Sequence, residues 1–402
     1  MPVEPDVSEL ISVAQACAIL DAVAVEPRLA RATLGDAAGR VLAEDILADR
    51  DYPPFDKSLM DGFAVRAAEV GEGILLKVVA EIAAGQRAGR DLSSDECAAI
   101  MTGAMLPGGA DAVVPVELAH RRGDVVSFTH PVAPGKAVQL RGAEVASGAR
   151  VLNRGTLLGP AQLAVAATVG AARLSVYRRP SAFILTTGDE VVSVRSRPAV
   201  QKIRNANNIL LTTLLMRLGA DVAGESHAPD DRRRLESAIR AGMKHDLTFI
   251  SGGMSMGNYD YAPQVLKSLG FELRITKVRI RPGKPFVFGV HPSGTFAFGL
   301  PGNPLSAYVC TLLFASRLVR RLTGLSAEPR WSTARLSAGV AANGPRELYQ
   351  PARRTVDGAV DPLPWRGSGD VFSLANADAL IIRPENAPQQ SLGEFVRILE
   401  LP

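Results

Sequence analysis

Cysteine and histidine are scarce in this chain of 402 residues, which contains 3 cysteines and 5 histidines. Cys17, Cys97 and Cys310 lie far apart among apolar residues. This spacing argues against a disulfide framework or a CxxC metal site, and it is typical of a reducing compartment. The histidines form no HExxH or similar group of metal ligands. The sequence therefore gives no support for the zinc-dependent or disulfide-stabilised classes of protein.

Long hydrophobic runs and a strong charge of one sign are also missing. The stretch nearest to a membrane helix, residues 157–176, is interrupted by Gly, Pro, Gln and Arg. The first nine residues are acidic and contain proline, unlike a signal peptide. The net charge of +4 is mild, and no dense basic stripe with interleaved aromatic residues is present. We expect a soluble cytoplasmic protein with neither a membrane nor a nucleic-acid partner, and with a small anionic ligand.

The remaining composition is that of a folded protein. Hydrophobic residues make up 47% and charged residues 21% of the chain, whereas disordered chains contain fewer apolar groups. Aromatic residues contribute only 5%, so the cores must consist mainly of Ala, Val, Leu and Ile. A chain of this length is expected to form two to four domains.

Hydrophobic periodicity changes along the chain. At the start, apolar residues recur at helical spacing (Ile11, Ala14, Cys17), with Ser8 as the predicted cap, and residues 35–42 look similar. From about residue 51 to 144, short apolar runs separated by glycine and proline predict a β-rich module. Residues 160–169 predict a further helix, with proline in its first turn.

From Ser181 onward, predicted strands and helices alternate. The strands are at 183–186, 221–226, 247–251, 285–290 and 295–299, and the helices are at 208–218, 231–243, 261–269 and 305–322. This alternation predicts a mostly parallel sheet with helices on both faces. From about Trp331 the pattern returns to short strands, which predicts a small β-barrel or sandwich.

Three glycine-containing clusters follow strands of this α/β region. They are TTGDE at 186–190, SGGMSMG at 251–257 and GLPGNP at 299–304. Glycine turns are common in all folds, so one cluster alone is weak support for a ligand site. Ligands of parallel sheets bind beyond the carboxyl ends of the strands, and glycines let backbone N–H groups approach an anion. Three clusters at successive strand ends therefore predict an anion site at this edge.

Carboxylates accumulate at the same edge, namely Glu190, Asp230 and Asp260. Asp230 and Asp260 are also predicted to cap helices, which is compatible with a ligand role. Carboxylates would repel an anionic ligand unless a cation lies between them, and Mg²⁺ is the ion that such oxygens usually hold.

A basic cluster comprises Lys277, Arg279, Arg281 and Lys284. Alternation along a strand would place Lys277, Arg279 and Arg281 on one face. That face is either simply exposed or binds an oxyanion, and the nearby glycine loops favour the second interpretation.

Taken together, these strings closely resemble the molybdopterin molybdenumtransferases, the family of bacterial MoeA and of the E domain of eukaryotic gephyrin. The string FDKSLMDGFAV at 55–65 matches the signature of this family. Five further motifs match in order over nearly the whole chain: IMTGA at 100–104, TGDE at 187–190, SGGMS at 251–255, PGKPF at 282–286 and LPGNP at 300–304.

The resemblance implies a multidomain α/β protein. Residues 1–48 and 146–180 would form a helical linker and dimerisation domain, and residues 49–145 a β-rich domain. Residues 181–328 would form a doubly wound, mostly parallel, MogA-like α/β domain that binds molybdopterin. Residues 329–402 would form a C-terminal β-barrel domain.

The resemblance also implies an activity. The enzyme would use Mg²⁺ to insert molybdate into adenylylated molybdopterin and release AMP, in a cleft shared between the subunits of a homodimer. The adenylyltransferase that makes the substrate and the enzymes that receive the cofactor would be partners. The acidic residues needed for activity correspond to Asp61, Glu190, Asp230 and Asp260, the last three of which would hold the metal. The substrate site would comprise Thr102, Gly252, Gly253, Ser255, Lys277, Arg281, Lys284, Pro301, Gly302, Pro304, Ser306 and Ser368.

Three departures from the family pattern are present. Gly142-Ala143-Glu144 stands where the family usually reads Gly-Glu-Asp, and Asn205-Ala206-Asn207 stands where it reads Asp-Ser/Thr-Asn. An arginine of the molybdate site falls at Pro351, although Arg353 or Arg354 lies close in sequence. These departures leave open a second function, in which an impaired paralogue binds or delivers the pterin without inserting metal.

Overall fold

A computed structural model of the chain describes residues 10–254, 261–328 and 331–402. Ser8, Ser255 and Asp260, to which the sequence assigns a cap or a site role, lie outside these ranges. The chain divides into two compact units. The β-rich unit contains Ala32–Ala38 and Glu44–Leu174, and the α/β unit contains the described residues up to Arg31, Gly39–Ala43 and Ser175–Pro402.

The helices within the described ranges are mostly short. They are α1 (Val13–Ala22), α2 (Pro160–Thr168), α3 (Ala206–Leu218), α4 (Arg232–Gly242), α5 (Ala262–Ser268), α6 (Pro304–Cys310), α7 (Ser316–Leu322) and α8 (Val371–Ala375). One π-helical turn, Thr311–Ala315, joins α6 to α7. Over the ranges described above, none of these helices has the length and apolar character needed to cross a membrane.

The strands are numbered in chain order. The first eleven are β1 (Leu29–Thr33), β2 (Ile46–Leu47), β3 (Lys57–Ser58), β4 (Gly62–Val65), β5 (Leu75–Ile82), β6 (Glu96–Ile100), β7 (Ala112–Pro115), β8 (Ala119–Arg122), β9 (Val125–Phe128), β10 (Val138–Gln139) and β11 (Arg150–Leu152). The next ten are β12 (Arg173–Tyr177), β13 (Ser181–Thr187), β14 (Val191–Val192), β15 (Ile203–Arg204), β16 (Asp221–Ala228), β17 (Leu247–Ser251), β18 (Glu272–Ile275), β19 (Ile280–Arg281), β20 (Val287–Val290) and β21 (Phe296–Leu300). The last five are β22 (Trp331–Arg335), β23 (Glu347–Arg354), β24 (Val360–Pro362), β25 (Ala379–Arg383) and β26 (Phe395–Glu400).

The β-rich unit is built on a six-stranded sheet of order β7-β4-β6-β5-β9-β8. Strand β4, between β7 and β6, is buried along its whole length. Phe63 packs edge-on against Phe128, with the ring centroids 6.0 Å apart, inside an apolar cluster that also contains Leu76 and Val114. The predicted β-rich module between residues 51 and 144 is thus confirmed.

The α/β unit contains a six-stranded sheet of order β16-β13-β17-β21-β20-β18. The first four strands are parallel, and β20 and β18 are antiparallel to their neighbours. Strands β13, β17 and β21 are almost fully buried because helices cover both faces, which is why their sequences are nearly continuous apolar runs. Helices α3, α6 and α7 pack with one apolar cluster, and α4 and α5 pack with another. The doubly wound, mostly parallel fold is confirmed.

The C-terminal strands form a second sheet in the same unit, of order β19-β23-β25-β26-β22, with β24 paired to β23. Tyr349 and Leu380 of this sheet belong to the same apolar cluster as Phe249 and Phe298 of the α/β sheet. The short strands predicted after Trp331 are therefore present.

Local capping explains where two helices begin. Ser12 accepts a hydrogen bond from the Gln15 N–H and caps α1. Helix α4 is capped by Asp231, which accepts from the Arg234 N–H, so the prediction that Asp230 is this cap is wrong. The one-residue shift leaves the Asp230 carboxylate free of any capping role.

The helix predicted at residues 35–42 is also absent, because residues 34–39 form turns. The Thr33 hydroxyl donates to the Asp36 carboxylate (2.7 Å) and accepts from the Asp36 N–H (3.3 Å). These local side-chain bonds compete with helix formation, and Gly39, with φ of 70°, ends the turn.

A charged network joins the start of β13 to the start of β17. Asp246, whose side chain is 14% exposed, accepts from Arg178 (2.8 Å), from the Ser181 N–H (2.6 Å) and from the Ser181 hydroxyl (2.7 Å). Burial alone would raise the pKa of Asp246, but the hydrogen bonds from Ser181 and Arg178 outweigh it and lower the pKa. The network fixes the register of the two central strands at their amino ends.

We expect Asp246→Ala to lower the free energy of unfolding by about 3 kcal/mol, since it leaves Arg178 and the Ser181 polar groups without their acceptor. Urea denaturation at pH 7 measures this loss. Because the folded pKa is depressed, the contribution of Asp246 is present above the ordinary aspartate pKa and is lost as the pH falls through the folded value. The difference between wild type and variant should therefore shrink in acid.

Asp221→Ala is the matched control for this prediction. Asp221 begins the neighbouring strand β16, and its carboxylate is 56% exposed and 3.7 Å from Arg179. An exposed ion pair contributes less than about 1 kcal/mol. Equal destabilisation by the two variants would contradict the special role of Asp246.

Candidate active site

The parallel strands of the α/β sheet end level with one another. In the registers of the sheet, Thr186 of β13 lies opposite Ser251 of β17, and Ser251 lies opposite Leu300 of β21. The three glycine-containing loops that follow these strands line one cleft of about 470 Å³, a size typical of small-molecule sites. Its lining comprises Thr186, Thr187, Gly188, Glu190, Val191, Ile203, Arg204, Asn205, Ala206, Asn207, Asp230, Ser251, Gly252, Gly253, Met254, Pro285, Pro301, Gly302, Asn303 and Pro304. The described residues of the three clusters thus meet at one edge of the sheet, and the anion site there stays a prediction.

Close approach of two loops requires glycine at position 252. Gly252 and Gly253 have φ of 100° and 64°, which L side chains rarely adopt. A Cβ at Gly252 would lie 2.6 Å from the Thr187 hydroxyl oxygen and 2.8 Å from the Thr187 carbonyl oxygen. Glycine therefore allows the loop after β17 to contact the end of β13 directly.

The first turn of α3 ties the strand ends together. Asn205 caps the helix by accepting from the Asn208 N–H (3.1 Å), and its amide nitrogen donates to the Thr186 hydroxyl (2.8 Å). The Asn207 amide nitrogen donates to the Ser251 hydroxyl (2.8 Å) and to the Gly302 carbonyl (2.7 Å). One helical turn thus contacts all three loops that form the cleft.

Two carboxylates contribute to this cleft. Glu190 and Asp230 both belong to its lining. The Asp230 carboxylate accepts from the Asp189 N–H (3.4 Å), and the Asp189 carboxylate accepts from the Asp230 N–H (3.3 Å), so the two loops hold each other. Within residues 10–254, 261–328 and 331–402, no three His, Cys, Asp or Glu side chains are grouped closely enough to hold a metal ion. The predicted third metal ligand, Asp260, lies outside the described residues.

Two polar atoms of the cleft lining are buried without a hydrogen-bond partner in the described part of the chain. They are the Thr187 hydroxyl oxygen and the Asn207 amide oxygen. Buried polar groups are normally satisfied, so these atoms point to a ligand or to ordered water as their partner.

The loop after β21 connects the cleft to the C-terminal region. Asn303 of the lining donates to the Ser368 hydroxyl (2.8 Å), and the Ser306 N–H donates to the Ser368 carbonyl (3.3 Å). Ser306 is itself buried in α6, and Ser368 meets the cleft through Asn303. Of the predicted substrate residues, the structure brings Gly252, Gly253, Pro301, Gly302 and Pro304 into the lining.

The basic segment is placed differently from its prediction. Only residues 280–281 form a regular strand, β19, and this strand pairs with β23 of the C-terminal sheet. Arg279 is bound to Glu385 (3.0 Å). The Arg281 guanidinium lies over the Trp365 ring, 5.5 Å from its centroid. Regular strand is therefore shorter than predicted, and the common face of Lys277, Arg279 and Arg281 stays a prediction. Neither Lys277, Arg281 nor Lys284 belongs to the lining described above.

Asp61 and Thr102, both predicted site residues, contact each other in the β-rich unit. The Thr102 hydroxyl and N–H each lie 2.6 Å from Asp61 Oδ1, and they lower the pKa of this exposed carboxyl. The next residue, Gly62, has to be glycine because a Cβ there would lie 2.0 Å from the Val114 carbonyl oxygen. In the same unit, Glu144 lies 3.6 Å from Lys57.

At the arginine position occupied by Pro351, the two nearby arginines differ. Arg354 is bound to Glu400 (2.5 Å) and to Ser332 (3.3 Å). Arg353 is exposed, and it lies on the same side of β23 as Pro351 because alternate strand residues share a face. Of the two arginines, Arg354 is therefore the one held by partners within the C-terminal sheet.

The sequence-based site omitted several residues that shape the cleft, among them Thr187, Asp189, Asn205, Asn207 and Asn303. Thr187 and Asp189 stand inside one of the predicted clusters, but the residues that approach them, Gly252 and Asp230, come from distant loops. Asn207 and Asn303 look like ordinary residues at helix starts. Two asparagines within three residues at the start of α3, Asn205 and Asn207, could have indicated a polar site there.

Comparison with known proteins gives a consistent result along the chain. Residues 11–170 match the family model of the MoeA N-terminal region (domain I and II), residues 183–321 match a probable molybdopterin binding domain, and residues 333–401 match the MoeA C-terminal region (domain IV). A molybdopterin molybdenumtransferase of Nostoc sp. is 34% identical over 380 residues, which cover 91% of this chain and 87% of the relative. One from Staphylococcus aureus is 32% identical over 369 residues, covering 89% and 88%.

Solved structures agree with these relatives. The crystal structure of a molybdopterin biosynthesis MoeA protein from Pyrococcus horikosii superposes with a TM-score of 0.85 at 30% identity, covering 98% of this chain and 99% of that chain. A second structure, from Pyrococcus horikoshii OT3, gives a TM-score of 0.83 at 27% identity, with coverage of 98% and 100%.

We expect Gly252→Ala to lower the free energy of unfolding by about 2–3 kcal/mol, because alanine is strained at φ of 100° and its Cβ would press on the Thr187 backbone. Gly302→Ala is the matched control in the opposite loop, where the nearest atom to a Cβ is 3.7 Å away. The control should change the free energy by less than about 0.5 kcal/mol. Urea denaturation of both variants checks the prediction, which fails if their losses are equal.

Proposed function

The chain belongs to the MoeA family of molybdopterin molybdenumtransferases, which act in molybdenum cofactor biosynthesis, and from this premise we propose a specific reaction for the cleft. The cleft binds adenylylated molybdopterin, and the enzyme joins molybdate to the two dithiolene sulfurs of the pterin with release of AMP. The observation that best supports this proposal is the composition of the cleft. Glu190 and Asp230 line it together with glycine loops and with the Thr187 hydroxyl and Asn207 amide oxygens, which are unpaired within the described residues.

The lining suits a substrate that bears phosphate groups. The N-terminus of α3, a helix of 13 residues, opens on the cleft and presents the positive end of its dipole. Arg204 adds a cationic side chain to the lining. The Thr187 hydroxyl can donate to an acceptor of the substrate, and the Asn207 amide oxygen can accept from a pterin N–H. A ligand with both phosphates and a hydrogen-bonding ring satisfies these groups together.

The two carboxylates fit a role in holding Mg²⁺. Glu190 and Asp230 are oxygen donors of the type that Mg²⁺ prefers, and they stand beside the groups that would receive the phosphates. Asp260 is proposed as a third ligand from the family resemblance. When bound, the ion supplies Lewis-acid activation of the phosphoanhydride. The carboxylates would position it, and the backbone amides and Arg204 would hold the phosphate oxygens.

We assign molybdate, the second substrate, to the basic segment and the Ser368 loop. Arg281 is stacked on Trp365, which restrains the guanidinium and leaves its N–H groups available to an oxyanion. Ser368 touches Asn303 of the cleft lining, so an anion near this loop would lie close to the pterin. Lys277 and Lys284 are proposed to add positive charge, and Arg353 is proposed to stand in for the arginine replaced by Pro351.

A homodimer completes this proposal. Asp61 and Thr102 are exposed, the hydrogen bonds from Thr102 lower the pKa of the Asp61 carboxyl, and the family resemblance assigns the pair to an active cleft shared between subunits. We propose that each β-rich unit serves the cleft of the partner copy. The adenylyltransferase that makes the substrate and the enzymes that receive the cofactor are the proposed protein partners.

Asp230→Asn tests the catalytic assignment. We expect turnover to fall by at least about tenfold, while the dissociation constant for adenylylated molybdopterin changes by less than about threefold, because the carboxylate acts on the reacting phosphates more than on the pterin ring. The measurements are molybdate- and Mg²⁺-dependent release of AMP and direct binding of the substrate.

Asp231→Asn is a closely matched control, since it removes the same charge one residue away. Asn is as good a helix cap as Asp, so α4 should be unaffected, and Asp231 is outside the lining. Equal losses of turnover in the two variants would contradict the role of Asp230. Wild-type protein that releases no AMP, under conditions in which a homologue is active, would contradict the proposed reaction.

A further inference from the structure

His227 stands at the outer end of a hydrogen-bond chain that reaches the cleft. It lies near the end of β16, the edge strand of the sheet, and its ring is exposed. Its Nδ1 atom is 3.2 Å from the hydroxyl oxygen of Thr186, a residue that is only 2% exposed. The same hydroxyl receives the hydrogen bond from Asn205 at 2.8 Å. The chain therefore runs from an exposed histidine through a buried threonine to a residue of the cleft lining.

The orientation of the Asn205 amide is determined by its other partner. The Asn208 N–H can only donate, so the Asn205 atom 3.1 Å from it must be the oxygen. The amide nitrogen then faces Thr186 and must donate. Thr186 accepts this bond through a lone pair of its hydroxyl oxygen, and its single proton is left for another acceptor.

Two acceptors are within reach of the Thr186 proton. The Ser226 carbonyl is 3.5 Å away, at the outer limit of a hydrogen bond, and His227 Nδ1 is nearer at 3.2 Å. Nδ1 can accept a hydrogen bond only when the ring is neutral and carries its hydrogen on Nε2. The shorter contact therefore selects one tautomer of the histidine.

We propose that His227, as the neutral Nε2–H tautomer, is a positioning residue for the cleft. Its Nδ1 atom accepts a hydrogen bond from the Thr186 hydroxyl, and this bond holds the Asn205 amide in a single orientation. Without this acceptor the Thr186 proton has only the distant Ser226 carbonyl, and the oxygen of a flipped Asn205 amide competes for it. An amide that flips to accept it would point its nitrogen at the Asn208 N–H, and the cap of α3 would be lost.

The consequence for binding follows from the position of Asn205. Asn205, Ala206 and Asn207 all belong to the lining, so a loosened first turn of α3 disturbs the floor of the cleft without touching its carboxylates. This consequence rests on the proposed function, whereas the tautomer of His227 does not.

The charged groups around His227 are few. A second depression in this region is lined by His227 together with Arg195 and Glu225, and it shares Val191 and Asn205 with the cleft. The Glu225 carboxylate already accepts from the Asn208 amide nitrogen at 2.6 Å. Arg195 and Glu225 carry opposite charges and are unchanged in the variants described next.

NMR of histidine-labelled protein tests the tautomer without any substrate. We expect the ¹⁵N shifts of His227 at neutral pH to show an unprotonated Nδ1 and a protonated Nε2. In Asn205→Asp a carboxylate replaces the donor and competes for the Thr186 hydroxyl hydrogen, so we expect the ¹⁵N shift of His227 Nδ1 to move toward that of a ring nitrogen that accepts no hydrogen bond. The ¹⁵N shifts of His245, whose ring stacks on Phe183, should not change. A protonated Nδ1 on the neutral wild-type ring, or an unchanged His227 Nδ1 shift in Asn205→Asp, overturns the inference.

Substitutions at His227 test the effect on binding. His227→Leu removes the acceptor, and we expect the dissociation constant for adenylylated molybdopterin to rise by about five- to tenfold, the value of one hydrogen bond. His227→Asn places a carbonyl oxygen where Nδ1 was and should restore binding to within about twofold. His245→Leu is the matched control, with wild-type binding expected.

Equal losses in His227→Leu and His227→Asn would overturn the positioning role, since bulk and not the acceptor would then matter. The two proposals fail separately. If the protein binds no adenylylated molybdopterin and releases no AMP, the proposed function fails, and the NMR result still decides the tautomer.

Discussion

The first turn of α3 is the constraint on which the cleft depends. Three parallel strands end level with one another, but their loops would be independent without a common contact. Asn205 binds the first strand end, and Asn207 binds the second strand end and the loop after the third. Because Asn205 is held through both its donor and its acceptor atom, and Asn207 through its donor atom, small changes there affect every wall of the cleft. The start of α3 thus holds the three loops together, and it also presents the positive end of the helix dipole to an anion.

Electrostatics and sterics act together at this edge. Glycines at 252 and 253 allow the loop after β17 to reach Thr187, which brings backbone amides close enough to surround a ligand. The carboxylates Glu190 and Asp230 then stand beside groups that favour anions. Such a mixture is costly unless a cation and an anionic substrate arrive together, and that combination is what the proposed reaction brings.

The departures from the family pattern acquire a physical meaning. Asn205 retains the helix cap and adds a donor to Thr186 that a carboxylate cannot supply. Glu144 makes an ion pair with Lys57 within the β-rich unit. Pro351 is buried in β23, and Arg353 lies two residues further along the same face, whereas Arg354 is bound to Glu400. These placements fit the proposed enzyme, since the carboxylates Glu190 and Asp230 are retained in the cleft and the departures affect residues around them.

The sequence by itself determined the α/β alternation, most helix and strand positions, the glycine loops and the family. These features are local, since hydrophobic period, glycine conformation and short motifs are written in neighbouring residues. Only the tertiary structure decided which of two adjacent aspartates caps α4, why residues 34–39 form turns, and where the basic segment pairs. It alone joined Asn207 to Ser251 and Gly302, and His227 to Thr186. Those partners are 41 to 95 residues apart, and packing of the whole sheet, which no local pattern encodes, brings them within hydrogen-bond distance.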